Sequence, residues 1–194
     1  LRDFRYDLRP ILAEAYARTI ERELPAEVAD SLGRKIVEFH EEWFDDSERV
    51  VHLLERVIAL CPAAEWAFDR LKLSFNAAGR WPDLFGLYDR RLSQRITNSE
   101  RIEILREAAM AARDFANDPE RAIAYFEQLN ALGPGDTRVE SSLERLYERH
   151  AHRRPLIDLL TLRLSANKSS DPGETMGRIA ALWLDLNEPL PALS

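Results

Sequence analysis

Residues 46–63 read DSERVVHLLERVIALCPA, and residues 118–135 read DPERAIAYFEQLNALGPG. Glu48-Arg49 of the first stretch returns as Glu120-Arg121, 72 residues later. Pro62 returns as Pro134, Leu54 falls on Phe126 and Val57 on Leu129. The register continues beyond the stretch, with Leu84 matched by Leu156 and Leu92 by Leu164. A fixed period of this length marks a stacked array of like units. Such units bury their apolar faces only against their neighbours.

The periodicity within each unit is helical. Phe68, Leu71 and Phe75 fall at i, i+3 and i+7, and Leu84, Leu87, Tyr88 and Leu92 form a second stripe. β-branched residues never alternate with polar ones over a strand's length, so no strand is expected. Start and stop signals divide the chain into ten helices. The first spans about Asp7 to Arg22 and the second Ala26 to Phe44. The third opens at Asp46 or Ser47 as cap and ends before Pro62. The fourth covers Ala63 to Ala78 and stops at Gly79, and the fifth covers Trp81-Pro82 to Arg95. Asn98 or Ser99 opens the sixth, and Asp118-Pro119 opens the seventh with proline at its first position. Asp136 or Thr137 caps the eighth, the ninth begins near Pro155, and Asp171-Pro172 starts the tenth after a polar link at 168–171. Helices of this length with short links give antiparallel neighbours, so each 72-residue unit holds two hairpins of about 36 residues. A lone hairpin would leave part of its stripes wet. At ~25 cal/mol per Å² of apolar surface, stacking on the next hairpin supplies most of the stability.

Composition bounds the class. The 194 residues are 45% hydrophobic and 31% charged, which is globular rather than disordered. A net charge of −7 argues against a nucleic-acid or anionic-membrane surface, since both need clustered basic residues. Arginines are instead interleaved with acids, as in Glu144-Arg145 and Glu148-Arg149, which is the pattern of a solvated helix face. Cys61 is the single cysteine, so no disulfide within the chain and no cysteine-based zinc site is possible. That fits a reducing, cytoplasmic compartment. No run of 18 apolar residues would span a membrane, and no secretory signal opens the chain. Lys35, Lys72 and Lys168 are the only lysines, and this arginine bias fits a GC-rich bacterial genome.

Residues 65–98 resemble a degenerate tetratricopeptide repeat (TPR). Phe68, Leu71 and Phe75 take the Trp, Leu and Tyr places of that pattern, Gly79 and Trp81 stand at the turn, and Tyr88 takes the second-helix aromatic place. Ala122, Phe126 and Pro134 match in the next unit, and Leu143, Tyr147, Leu156 and Leu160 in the one after. Lys72, Leu84 and Arg91 depart from the small-residue positions, and the helices at 26–44 and 98–116 look about a turn longer than the family's. A related half-a-TPR or other α-solenoid geometry therefore stays open. The resemblance implies an all-α, right-handed α-solenoid of antiparallel hairpins, at about 26–61, 63–96, 98–133 and 136–168, forming one domain over 1–194. Tyr6-Asp7-Leu8 resembles Pro82-Asp83-Leu84, and Asn187-Glu188-Pro189 resembles Asn117-Asp118-Pro119. Both ends thus read as partial units without polar caps, as in a piece of a longer solenoid or one whose ends self-associate.

The resemblance also places a concave groove on the first helix of each pair. Its candidate partner-binding residues are Trp66, Asp69, Leu73 and Asn76 in one repeat, and Arg138, Ser141, Arg145 and Glu148 in another. Asp69 and Leu73 stand where a carboxylate clamp of the family wants Lys and Asn, which disfavours that mode. Arg138 and Arg145, seven apart on one helix face, could meet an acidic segment through bidentate pairs.

Catalytic patterns are broken wherever they begin. His40-Glu41-Glu42 lacks the second histidine of a zincin, because Phe44 stands in its place. His150 and His152 do not share a helix face and suit a helix C-terminus. Gly133-Pro134-Gly135 lacks the Lys-Ser/Thr of a phosphate loop. Cys61 precedes Pro62 at a helix end, opposite Gly133 in the repeat register, and so marks a position for a small residue. The adjacent pairs Glu41-Glu42 and Asp45-Asp46 point apart on a helix and make no acid/base pair. The four tryptophans sit where packing uses them, Trp66 least clearly. No cofactor is expected. The reading is a non-catalytic scaffold for protein–protein interaction that takes a peptide or helix in its groove. The alternatives are a self-assembling solenoid segment, a regulatory repeat region of a larger enzyme, and RNA binding, which the acidic balance opposes.

Overall fold

A computed structural model describes residues 8–167, 169 and 171–186. Their regular structure is entirely helical, in ten helices. These are α1 (Arg9–Ile20), α2 (Ala26–Trp43), α3 (Ser47–Leu60), α4 (Glu65–Ala77) and α5 (Trp81–Leu92), then α6 (Asn98–Asp114), α7 (Pro119–Leu132), α8 (Thr137–Arg149), α9 (Arg153–Ser165) and α10 (Pro172–Asp185). The expectations for Tyr6-Asp7, Lys168 and Asn187-Glu188-Pro189 lie outside the described residues.

The helices keep the 72-residue register in both extent and cap geometry. α3 and α7 start and end 72 residues apart, as do α4 and α8. Asp46 accepts the Arg49 N–H at 2.9 Å, and Asp118 accepts the Arg121 N–H at 3.1 Å. Each aspartate satisfies a donor that the first helical turn would leave orphaned. At the other ends, Cys61 lies at φ −132°, ψ 83° and Gly133 at φ −137°, ψ 72°. The shared extended geometry explains why one position accepts either residue. Gly79 and Ala151 both adopt positive φ, 65° and 57°, at the next turn. There the Arg80 and His152 N–H groups each reach back 2.9 Å to the carbonyls of Phe75 and Tyr147.

The chain divides into two compact units, residues 1–87 and 88–194, with the division inside α5. In the first, α1 packs on α2, α2 on α3 and α3 on α4. In the second, α6 packs on α7, α7 on α8, α8 on α9 and α9 on α10. Longer-range bonds within each unit recur one hairpin apart. In the first unit the Arg56 guanidinium donates to the Ile20, Glu21 and Arg22 carbonyls, 34–36 residues back, and so closes the C-terminus of α1. The Trp66 indole donates to Asp30 across 36 residues, and Arg80 meets Glu48 across 32. In the second unit Tyr125 donates to Asp89 across 36 residues, and His152 meets Glu120 across 32. Each unit is therefore an all-α row of stacked helical hairpins.

Several boundaries fall a few residues from expectation, as where α1 ends at Ile20 and α4 starts at Glu65, and three of the differences have local reasons. Thr97, rather than Asn98 or Ser99, caps α6 by accepting the Glu100 N–H at 3.2 Å. α9 begins at Arg153, two residues before Pro155, because a proline anywhere in a first turn removes an N–H that has no helical partner. α5 ends at Leu92, three residues before Arg95, and Arg101 donates to the Leu92 carbonyl at 2.8 Å. No helix among the described residues is long and apolar enough to cross a membrane.

At Gly33 of α2 an added Cβ would lie inside van der Waals contact with Cγ2 of Val57, so the helices approach closely there. Val57 is fully buried and β-branched, so it has little rotamer freedom with which to retreat. Overpacking costs about 1–3 kcal/mol, and replacing a helical glycine by alanine returns about 1 kcal/mol. Gly33→Ala is therefore expected to destabilise by about 1 kcal/mol in urea titration; a stabilised variant would show that α2 and α3 are not in such contact.

Candidate partner-binding face

Residues Arg138, Ser141, Arg145 and Glu148 occupy α8, whose opposite side carries the buried Leu143 and Tyr147. With 3.6 residues per turn, the first four follow one stripe, and all four are exposed. Asp136 starts the helix by accepting the Arg138 N–H at 3.0 Å, so the backbone at Arg138 is held while its side chain is free. Glu148 is not free. The Arg178 guanidinium of α10 reaches it at 2.5 Å and pulls it toward that helix.

Two cavities flank the stripe. One, of about 330 Å³, lies between the end of α6 and α8 and is lined by Arg113, Asp114, Ser142, Arg145, Leu146 and Arg149. Arg113 and Asp114 neutralise each other through two parallel bonds of 2.7 and 2.8 Å. Those hydrogen bonds hold the Asp114 carboxyl below its usual range. Arg145 and Arg149 have no acidic partner among the described residues, and neither does Arg138. The α6–α8 side of the stripe therefore keeps uncompensated positive charge within a chain of net charge −7.

The second cavity, of about 250 Å³, lies toward α9 and α10, where Ser141 is joined by Thr137, Glu140, Arg163 and Thr175. Here the arginines are paired: Arg163 sits 3.5 Å from Glu140 and 2.7 Å from Glu144, and Arg178 sits 2.7 Å from Glu144. This side ties α8, α9 and α10 together and presents no unpaired arginine.

The counterpart stripe on α4 is of another kind. The Trp66 indole N–H is spent on Asp30 at 2.6 Å, and the Arg34 guanidinium covers the ring at 4.7 Å. Trp66 thus fastens α4 to α2. Asp69 pairs with Lys72 at 3.3 Å on its own helix. Leu73 is 65% exposed and Asn76 is exposed, which leaves a small apolar and polar patch without net charge. Arg113 and Arg149 were not among the residues singled out from the sequence. Arg149, four positions after Arg145, could have been found by helical spacing; Arg113 comes from another helix and could not.

The other candidates have local roles. His40 is buried, packed against Phe39 and Phe44, and burial pushes its pKa down. His150 ends α8 and His152 precedes α9, where it stacks on Tyr147. Among the described residues no group of three or more His, Cys, Asp or Glu side chains could hold a metal.

The sequence matches no protein-family pattern and no curated protein. Two solved structures are similar in backbone path. MamA RS-1 ArsTM double mutant shares 11% identity at a TM-score of 0.45, over 83% of this chain and 98% of its own. YrrB, described as a TPR protein with an unusual peptide-binding site, shares 11% identity at a TM-score of 0.44, over 89% of this chain and 94% of its own.

Proposed function

We propose that this protein is a non-catalytic scaffold for protein–protein interaction, and that the free face of α8 with the α6–α8 cavity takes an acidic peptide or helix. The observation that carries this reading is the unpaired trio Arg138, Arg145 and Arg149 beside a cavity, in a chain that is otherwise acidic. Guanidinium groups recognise carboxylates through two parallel bonds, and uncompensated charge also speeds encounter with an oppositely charged partner. Ser142 and Leu146 give the cavity a polar and an apolar wall, as a helix with one acidic and one apolar edge requires.

A labelled amphipathic peptide with acidic residues seven apart serves as the probe, followed by anisotropy at low and high salt. Binding is expected to weaken with salt and to fall by at least about tenfold in an Arg138→Glu/Arg145→Glu variant, roughly the loss of one strong ionic contact. Binding unchanged by the double reversal would remove α8 as the partner face. Self-association is the second reading, favoured by exposed apolar residues at the start of α1 and on α10, where Leu8, Ile11 and Leu184 are 64%, 67% and 71% exposed. A concentration-independent monomer mass in light scattering would dispose of it.

A further inference from the structure

The cavity between the end of α6 and α8 carries more positive charge than one carboxylate can neutralise. Three arginines and one aspartate line it, so two positive charges are in excess. Arg113 is the fixed member. Its guanidinium is held by Asp114 at 2.7 and 2.8 Å, and a further N–H donates to the Ser142 hydroxyl of α8 at 3.4 Å. Arg145 and Arg149 have no acidic partner among the described residues. They stand four apart on α8, where like charges are neighbours and repel. The helix dipole favours Arg149, in the last turn, but gives no reason for a second cation one turn earlier.

The 72-residue register separates what stacking needs from what this place adds. Arg113 corresponds to Glu41, Ser142 to Arg70, Arg145 to Leu73 and Arg149 to Ala77. In the first unit Arg70 and Glu41 form an ion pair at 3.0 Å, and the two α4 positions that follow are uncharged. The second unit keeps a bridge between the same two positions, with the arginine moved to the other helix. It then adds two guanidinium groups that the equivalent hairpin does without.

We infer that the α6–α8 cavity takes a phosphorylated serine or threonine of a partner peptide, and this rests on α8 being the partner face. A phosphoryl group carries a charge of about −1.5 to −2 at neutral pH and three acceptor oxygens, which matches two unpaired guanidinium forks. A glutamate or aspartate side chain brings one charge and leaves the second arginine uncompensated. Arg138, seven residues before Arg145 on the same stripe, stays available for an acidic residue further along the peptide. Leu146 offers the flanking residues an apolar contact. Phosphorylation of the partner thereby sets its residence on α8.

The test uses the whole chain and three labelled peptides that differ at one anchor position, phosphoserine, glutamate or serine, with an acidic residue seven positions away. Anisotropy is expected to show phosphoserine binding at least about tenfold more tightly than glutamate, and serine most weakly. Arg149→Gln is expected to bring phosphoserine and glutamate to equal affinity, with glutamate binding changed by less than about twofold and the helical circular dichroism of the parent kept. Inorganic phosphate and phosphatidylcholine vesicles containing phosphatidic acid serve as competitors, and neither is expected to displace the peptide at matching phosphate concentration. Equal binding of phosphoserine and glutamate by the parent chain, an Arg149→Gln variant that keeps the preference, or displacement by either competitor at matching concentration would each overturn the proposal. Equal binding that is still lost in Arg138→Glu/Arg145→Glu removes the phosphate preference and leaves the acidic-peptide face standing, whereas no binding of any of the three peptides removes both.

Discussion

Replacing Phe75 by alanine is expected to destabilise the first unit by about 3–5 kcal/mol, the range for removing a fully buried aromatic ring. Phe75 is completely buried at the centre of the α4 stripe, and the Arg80 guanidinium lies 4.9 Å from its ring. Its carbonyl also accepts the Arg80 N–H that closes the turn into α5. The ring's loss therefore opens a cavity and removes a cation–π contact worth about 0.5–1 kcal/mol. Two neighbouring variants make the claim specific. Leu73→Ala, two residues away on the exposed face, is expected to stay within about 0.5 kcal/mol of the parent. Phe75→Tyr is expected to be mild, since the register equivalent is Tyr147, and Glu55 stands at the equivalent of its acceptor Glu127. Urea unfolding of the three variants decides it. Equal losses at positions 73 and 75 would mean that the inward and outward faces of α4 are wrongly assigned.

That contrast also measures what the sequence alone discloses. The stripe Phe68, Leu71, Phe75 was legible because helix period and burial are the same fact read twice; Leu71 and Phe75 are both fully buried. The extents of α3 and α7 were legible because aspartate caps and proline stops act within four residues of the helix they bound. The turn at Gly79 was legible, whereas its partner at Ala151 was not: alanine at φ 57° carries a steric cost that only the surrounding turn overrides. The site was less legible for a physical reason. Trp66 looked available until a residue 36 positions earlier took its N–H. Glu148 belonged to the stripe by helical spacing, yet Arg178 of α10 claims it. Charge compensation is set by side chains one hairpin away, and periodicity says nothing about whether such a partner arrives.

The second large effect lies in the charge network joining α8, α9 and α10. Arg163 is 19% exposed at its side chain and lies between Glu140, 9% exposed, and Glu144, 16% exposed. Arg163→Met keeps most of the side-chain volume and removes the charge that lets two carboxylates lie together away from water. Breaking such a pair by deleting one partner costs more than the pair contributes, because the survivor stays desolvated. A loss of about 2–4 kcal/mol in the second unit is expected on this ground. Burial by itself raises the Glu144 carboxyl, but hydrogen bonds from Arg163 and Arg178 outweigh it and hold the group below its ordinary range. A carboxylate whose pKa is depressed by folding stabilises above its unfolded pKa and loses that contribution as pH falls through the folded value. The gap between parent and Arg163→Met should therefore be full at neutral pH and narrow under acid, as the Glu144 carboxylate protonates. Adding Glu140→Leu to Arg163→Met should recover part of the loss, since an apolar residue needs no counter-ion. If the single variant is as stable as the parent at neutral pH, or if the gap does not close in acid, the three helices are held by packing alone and Arg163 is only a surface charge.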